Sequence, residues 1–312
     1  LHSFPTRRSS DLGVQNMLLE LKNIDKSFGE KKVLKGVSFV AESGKAFGLL
    51  GRNGAGKTTS IRILMNVFPA DAGEVLTDGK PIDYDKISLG YLPEERGLYP
   101  KKLIIDQLVY FAELKGMKRT DAVQSVDRWL KRLELYEYRN KRLDTLSKGN
   151  QQKIQLITAL AHDPQIVILD EPFSGLDPVN AILLKDVVKE QIARGKIVLF
   201  SSHQMSYIEE FCDSIAILNA GKVVLHGDLR EIKRNYVRDR LVVRTDNPEQ
   251  IKADFKDGCT VQEDGSLILR LASPNDKQTA MKHLAEKYDI DEIKVFEPSL
   301  NDIFVEYAVE QE

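Results

Sequence analysis

The sequence predicts an α/β fold with a parallel sheet, followed by a small α+β domain. Two observations point there. Apolar strands alternate with helical stretches through the first two thirds of the chain, and QIVILD is apolar throughout, as in the middle of a parallel sheet. After GDLREIKRNY the pattern changes to shorter strands and helices.

Taken in order, LLELKNI after Met17 and VLKGVSFVA from Val33 alternate as strands. AFGLL is a short apolar run that feeds a glycine-rich turn, and TTSIRILMNVF then carries helical spacing. Residues 88–92 form a further strand. Residues 106–162 read as helical almost throughout, with polar breaks near 116–120 and 145–149, and make a separate lobe. Beyond QIVILD come a helix over 179–193, the strand KIVLFSS, a helix over 205–212 and the strand SIAILN. The last part reads as LVVRT, a helix near 249–255, CTVQE, LILRL, a helix near 276–288 and DEIKVF. In the closing segment PSLNDIFVEYAVEQE, Ser299 and Asp302 have capping-box spacing. The expected division is 17–230 and 231–312, with the helical lobe over about 93–163 and a soft boundary near 230. Residues 1–16 are set apart, because SFPTRRSSDL resembles a translated sequencing adapter and natural translation is expected to begin at or near Met17.

The totals narrow the function classes. With 312 residues, 42% hydrophobic and 29% charged, the chain is an ordinary globular one, and its net charge of −2 gives no reason to expect nucleic-acid affinity. Two cysteines, Cys212 and Cys259, fit a reducing compartment and read as small core residues. No apolar run approaches the ~18 residues of a membrane helix. A transport role would therefore need a separate membrane partner.

GRNGAGKT, Gly51 to Thr58, follows an apolar strand and opens a helix. Gly51, Gly54 and Gly56, with Asn53, let backbone N–H groups wrap a phosphate, and the helix N-terminus faces the same anion. Lys57 is expected to reach β- and γ-phosphates, the Thr58 hydroxyl to hold Mg²⁺ and Thr59 to donate to the α-phosphate. A nucleoside triphosphate is the implied ligand. Asp170 and Glu171 end a buried strand, where open parallel sheets bind ligands. Asp170 suits Mg²⁺ and its water shell, and Glu171 suits an attacking water. His203, after the strand KIVLF, is placed to sense the γ-phosphate, while Asp177 in SGLDP has the position of a helix cap.

Together the phosphate loop, LSKGN, VILDEP, SGLD and SSH resemble the ATP-binding subunits of ABC transporters over residues 18–226. The resemblance implies a P-loop NTPase core with an antiparallel β subdomain and a helical lobe. It also implies an ATP-driven dimer, homodimeric or paired with a second ATPase subunit, with sites between subunits. Ser147 and Gly149 would contact the ATP held by the partner, Asp177 would link the two sites, and Phe28 would stack on adenine. YLPEERGLYP matches the segment that joins the lobes and touches the permease, with Glu94 where the family usually has glutamine, as a further metal-side residue. Lys148 replaces a glycine of the usual LSGGQ. YLPEERGLYP, LSKGNQQK and PSLNDIFVEYA resemble the narrower group of ABC-2-type exporter ATPases, NatA-like sodium-efflux ATPases included, with a small C-terminal domain. That reading places the chain on the cytoplasmic face of the membrane, held there by a permease. The alternative is a regulatory or non-transport ATPase of the same type acting on a soluble partner. A single phosphate loop and a short helical lobe argue against the ribosome-acting and DNA-repair relatives. Direction of transport follows from the resemblance alone.

Overall fold

The computed structural model describes residues 17–309 apart from residues 96, 175, 203, 237, 238, 256, 257 and 263. The leader expected over 1–16 and the sensor residue His203 lie outside the described residues.

Long alternating strands open the chain. Leu18–Phe28 (β1) and Lys31–Glu42 (β2) pair antiparallel, and Ala72–Thr77 (β4) and Lys80–Pro81 (β5) extend them to a sheet of order β2-β1-β4-β5. This is the antiparallel subdomain that the resemblance implies. The second sheet contains Ala46–Gly51 (β3), Leu89–Leu92 (β6), Ile166–Asp170 (β7), Ile197–Ser201 (β8), Ser214–Asn219 (β9) and Lys222–Asp228 (β10). Its order is β10-β9-β3-β8-β7-β6, parallel throughout except for the β9–β10 hairpin. Every residue of β3, β7 and β8 is buried, as their unbroken apolar runs require. Lys57–Leu64 (α1) packs between the sheets in one core that includes Leu19, Phe39, Phe47, Leu49, Ile61 and Leu199.

The helical lobe is built from Ile104–Leu114 (α2), Arg119–Arg132 (α3) and Lys148–Leu160 (α4). It is less continuous than its periodicity suggests. Glu134 turns left-handed with φ 58° and ends α3, and two short 3₁₀ turns lead to α4. Leu133, Leu135, Leu143 and Leu146 are buried from this irregular stretch, so the apolar spacing of a helix appears without one. Pro178–Ala193 (α5), Met205–Phe211 (α6) and Leu229–Asn235 (α7) complete the run of helices that ends at the C-terminal unit.

The chain divides into two compact units, the second spanning Arg230–Ile303. It holds Arg240–Arg244 (β11), Pro248–Phe255 (α8), Cys259–Val261 (β12), Leu267–Arg270 (β13), Lys277–Lys287 (α9) and Glu292–Val295 (β14). The antiparallel order β12-β13-β11-β14 buries Leu241, Val243, Ile251, Leu267, Leu269 and Leu284 in its own core. Leu300–Val309 (α10) opens on a capping box. The Asp302 carboxylate accepts from Ser299 N and Oγ at 2.8 and 2.6 Å, and Asp302 N donates to Ser299 Oγ at 3.2 Å. Of the cysteines, Cys212 is buried, but Cys259 begins the short edge strand β12 and is only partly covered. Among the described residues no helix is long and apolar enough to cross a membrane.

Candidate nucleotide site

Three neighbouring strands end at the same level. Leu49 of β3 and Asp170 of β7 both pair with Ser201 of β8, which lies between them. The loops that leave these strands therefore converge on one edge, and they are the three that carry the phosphate loop, the acidic pair and Ser202.

Gly51 closes β3, Asn53 and Gly54 are exposed in the turn, and Gly56 caps α1 with φ 113°. That φ lies in the region that favours glycine, and a Cβ there would also stand 2.5 Å from Leu34 Cδ2 and oblige that side chain to shift. Thr58 is exposed and Thr59 half-buried on the first turn of α1. Lys57 folds back over the loop, and its Nζ donates to the carbonyls of Gly51 at 2.7 Å and Arg52 at 3.3 Å. Burial pulls its ammonium pKa down, against the attraction of Glu171, Asp170 and Glu94. Four predicted site residues thus act on one another across the loop.

Asp170 and Glu171 are both buried, 5% and 7% exposed. Burial raises the Asp170 pKa, and Glu94 and Glu171 push the same way, with Lys57 opposing them. Glu171 sits at φ 49°, a left-handed conformation unusual for a residue with a side chain and typical of strained functional positions. Its N–H donates to Ser201 O at 2.8 Å, and Ser202 Oγ donates to its carboxylate at 3.0 Å. Tyr91 OH reaches Asp170 Oδ2 at 3.4 Å, and burial raises the Tyr91 pKa. Sequence reasoning missed Ser202 and Tyr91; the first stands inside SSH and the second opens YLPEERGLYP, so both belonged to motifs already in view.

The group of carboxylates suits a hard dication more than a transition metal. Among the described residues no three of His, Cys, Asp and Glu form a metal-binding group. A magnesium ion held by one carboxylate, one hydroxyl, phosphate and water needs no such cage. Asp170 and Thr58 provide that donor set, and a dication would offset the burial, and the neighbouring carboxylates, that raise Asp170.

The LSKGN loop stands apart. Ser147 is exposed and caps α4, accepting from Asn150 N at 3.3 Å, so the helix starts at Lys148 and not near Asn150. Among the described residues no hydrogen bond joins Ser147 or Gly149 to residues 51–59. A Cβ on Gly149 would lie 3.1 Å from Asn180 Nδ2 and 3.7 Å from Asp177 Oδ2, so this glycine lets the loop press on the start of α5. Asp177 caps that helix, accepting from Val179 N and Asn180 N at 3.1 and 3.0 Å. Phe28, at the end of β1, is 50% exposed and is no core residue. Its ring meets Phe68 edge-on at 5.5 Å, with Lys26 Nζ 5.7 Å above it and paired to Asp71 at 2.7 Å.

Comparison with known proteins agrees with this fold. The family described as ABC transporter matches residues 34–174, and that described as ATP-binding protein DrrA1-3-like, C-terminal domain, matches residues 227–308. The chain is 42% identical over 291 residues to the uncharacterized ABC transporter ATP-binding protein YhaQ of Bacillus subtilis, covering 93% of this chain and 98% of that protein. In the same organism it is 31% identical to the linearmycin resistance ATP-binding protein LnrL, over 73% of this chain and 75% of the relative. It is 32% identical to the ABC transporter ATP-binding protein NatA there, over 69% and 91%. A solved structure of the ATP-binding subunit of an ABC transporter superposes with a TM-score of 0.64 at 30% identity, covering 70% of this chain and 93% of that one.

Proposed function

The chain belongs to the ABC transporter ATP-binding proteins, and from that premise we propose that it powers export through a separate permease by ATP-dependent pairing of two ATPase subunits. It is an ATPase subunit homologous to exporter ATPases. The observation that carries the reading is that β3, β8 and β7 end together, so that the loop holding Lys57 and the buried Asp170 and Glu171 converge there.

In this reading Gly51, Asn53, Gly54 and Gly56 wrap the phosphates, and Thr59 adds a donor. Lys57 exchanges its two carbonyl partners for phosphate oxygens. Thr58 and Asp170, with Glu94 as a further candidate, would hold Mg²⁺, which would supply neutralisation of phosphate charge. Glu171, steadied by Ser202, orients the attacking water and takes its proton. His203 attends the γ-phosphate, and Phe28 offers its open face to the adenine. Ser147 and Gly149 belong to the site of the second copy, with Asp177 beside them at the shared boundary.

The division into 17–230 and 231–312 goes with this, the first part carrying the ATPase and the second an accessory domain. Docking to a permease would hold the chain at the inner face of the membrane. The curated relatives include proteins named for linearmycin resistance and for Nod factor export. Those cargoes share little chemistry, which supports selection of cargo by the permease. A test is Lys57→Ala, read by calorimetry and by phosphate release. ATP affinity should fall at least about tenfold, the worth of one charge-assisted contact, and hydrolysis should go with it. Unaltered affinity would remove Lys57 from the site.

A further inference from the structure

The two halves of the site just described are joined by side chains that neither sequence motif accounts for. Gln155 lies in the interior of α4 and is only 4% exposed. Its Nε2 donates to the carbonyl of Pro93 at 3.2 Å and to that of Glu95 at 2.9 Å. A primary amide carries two N–H groups, so one side chain satisfies both carbonyls at once. Those carbonyls flank Glu94. One turn earlier on the same helix, Gln152 Nε2 donates to the carbonyl of Pro172 at 2.6 Å, the residue directly after Glu171. Residues three apart share a helix face.

We propose that Gln152 and Gln155 are positioning residues that tie Glu171 and Glu94 of the chain's own site to the helix that carries LSKGN. The N-terminal end of α4 is the Ser147 cap and the exposed loop, and its body holds the backbone on both sides of Glu94 and directly after Glu171. A helix moves as a rigid rod, so a shift at its loop end is carried to both amides. A nucleotide of the second copy that draws in Ser147 and Gly149 would thereby reset the metal and base sides of this copy's site. This route is separate from Asp177, which touches α5. The inference rests on the paired-ATPase reading.

The test uses the full chain and Gln155→Met, Gln152→Met and their combination, which keep size and remove the donors. Steady-state hydrolysis is measured against ATP and against Mg²⁺, with ATP affinity by calorimetry and the folded fraction by near-ultraviolet circular dichroism. ATP affinity should stay within about twofold while kcat per folded chain falls about tenfold or more, the pattern of lost positioning. Half-saturating Mg²⁺ should rise for Gln155→Met, next to Glu94, and stay put for Gln152→Met. Cooperativity toward ATP should weaken in both. If Gln155→Met does not fold, the partly exposed Gln152 carries the test through kcat and cooperativity alone. Wild-type kcat, Mg²⁺ requirement and cooperativity in variants of a cooperative wild-type enzyme overturn the inference and leave the paired reading standing. A wild-type chain that hydrolyses ATP without cooperativity overturns both.

Discussion

Two polar loops face nucleotide in this account, and they are built in opposite ways. The phosphate loop is locked: Gly56 takes a left-handed φ of 113°, Lys57 is tied to two carbonyls, and Asp170 and Glu171 beside it are buried. LSKGN is open, with Ser147 and Lys148 exposed and the hydroxyl serving as a helix cap. A backbone held in shape this way can present its N–H groups without reorganising, and the Lys57 ammonium is the group that changes partners when phosphate arrives. An exposed cap with spare acceptor capacity and a helix N-terminus behind it suits an anion that arrives from outside the chain. The difference supports the proposal that one chain holds a binding site and a separate clasp for another.

The largest effect that would sharpen this contrast is at the locked loop. Glu171→Gln should cut ATP turnover about 100-fold or more, the range for a lost general base, while ATP still binds with near wild-type affinity in calorimetry. Turnover like the wild type's would reject Glu171 as the base.

A smaller effect tests how the clasp's helix is anchored at its far end. His162 follows α4, and its Nε2 donates to Leu89 O at 3.2 Å, which ties the helix to β6. Burial lowers its pKa to about 4 from 6.5, helped by Lys115 and Lys196. The folded state thus prefers the neutral ring. Its stabilising share is complete above pH 6.5 and is lost as pH falls from there through 4. Relative to His162→Gln, the wild type should lose about 2 kcal/mol of its advantage between pH 7.5 and pH 5 in urea unfolding. A difference between the two that stays constant with pH would show that the ring is not held neutral.

Much of this was legible before the structure. Unbroken apolar runs marked β3, β7 and β8 because their residues are buried on both faces, and glycine, lysine and hydroxyl spacing marked the phosphate loop. What escaped did so for physical reasons. AGEVLT, the strand β4, buries only its last residues, so it shows no alternation. The stretch 133–147 buries leucines from irregular backbone and imitates a helix. Gln155 reads as one more amide in a polar run until the carbonyls it serves, sixty residues away in sequence, are brought beside it. Ser202 became visible only when β8 placed it against Glu171.

The central claim, that LSKGN closes on the nucleotide of a second copy, is tested most directly by sedimentation of the Glu171→Gln chain with ATP and Mg²⁺, alone and combined with Ser147→Arg. The account predicts an ATP-dependent dimer for Glu171→Gln that is absent with ADP. It predicts that Ser147→Arg abolishes the dimer while each monomer still binds ATP in calorimetry. A dimer that forms equally well with Ser147→Arg would contradict it.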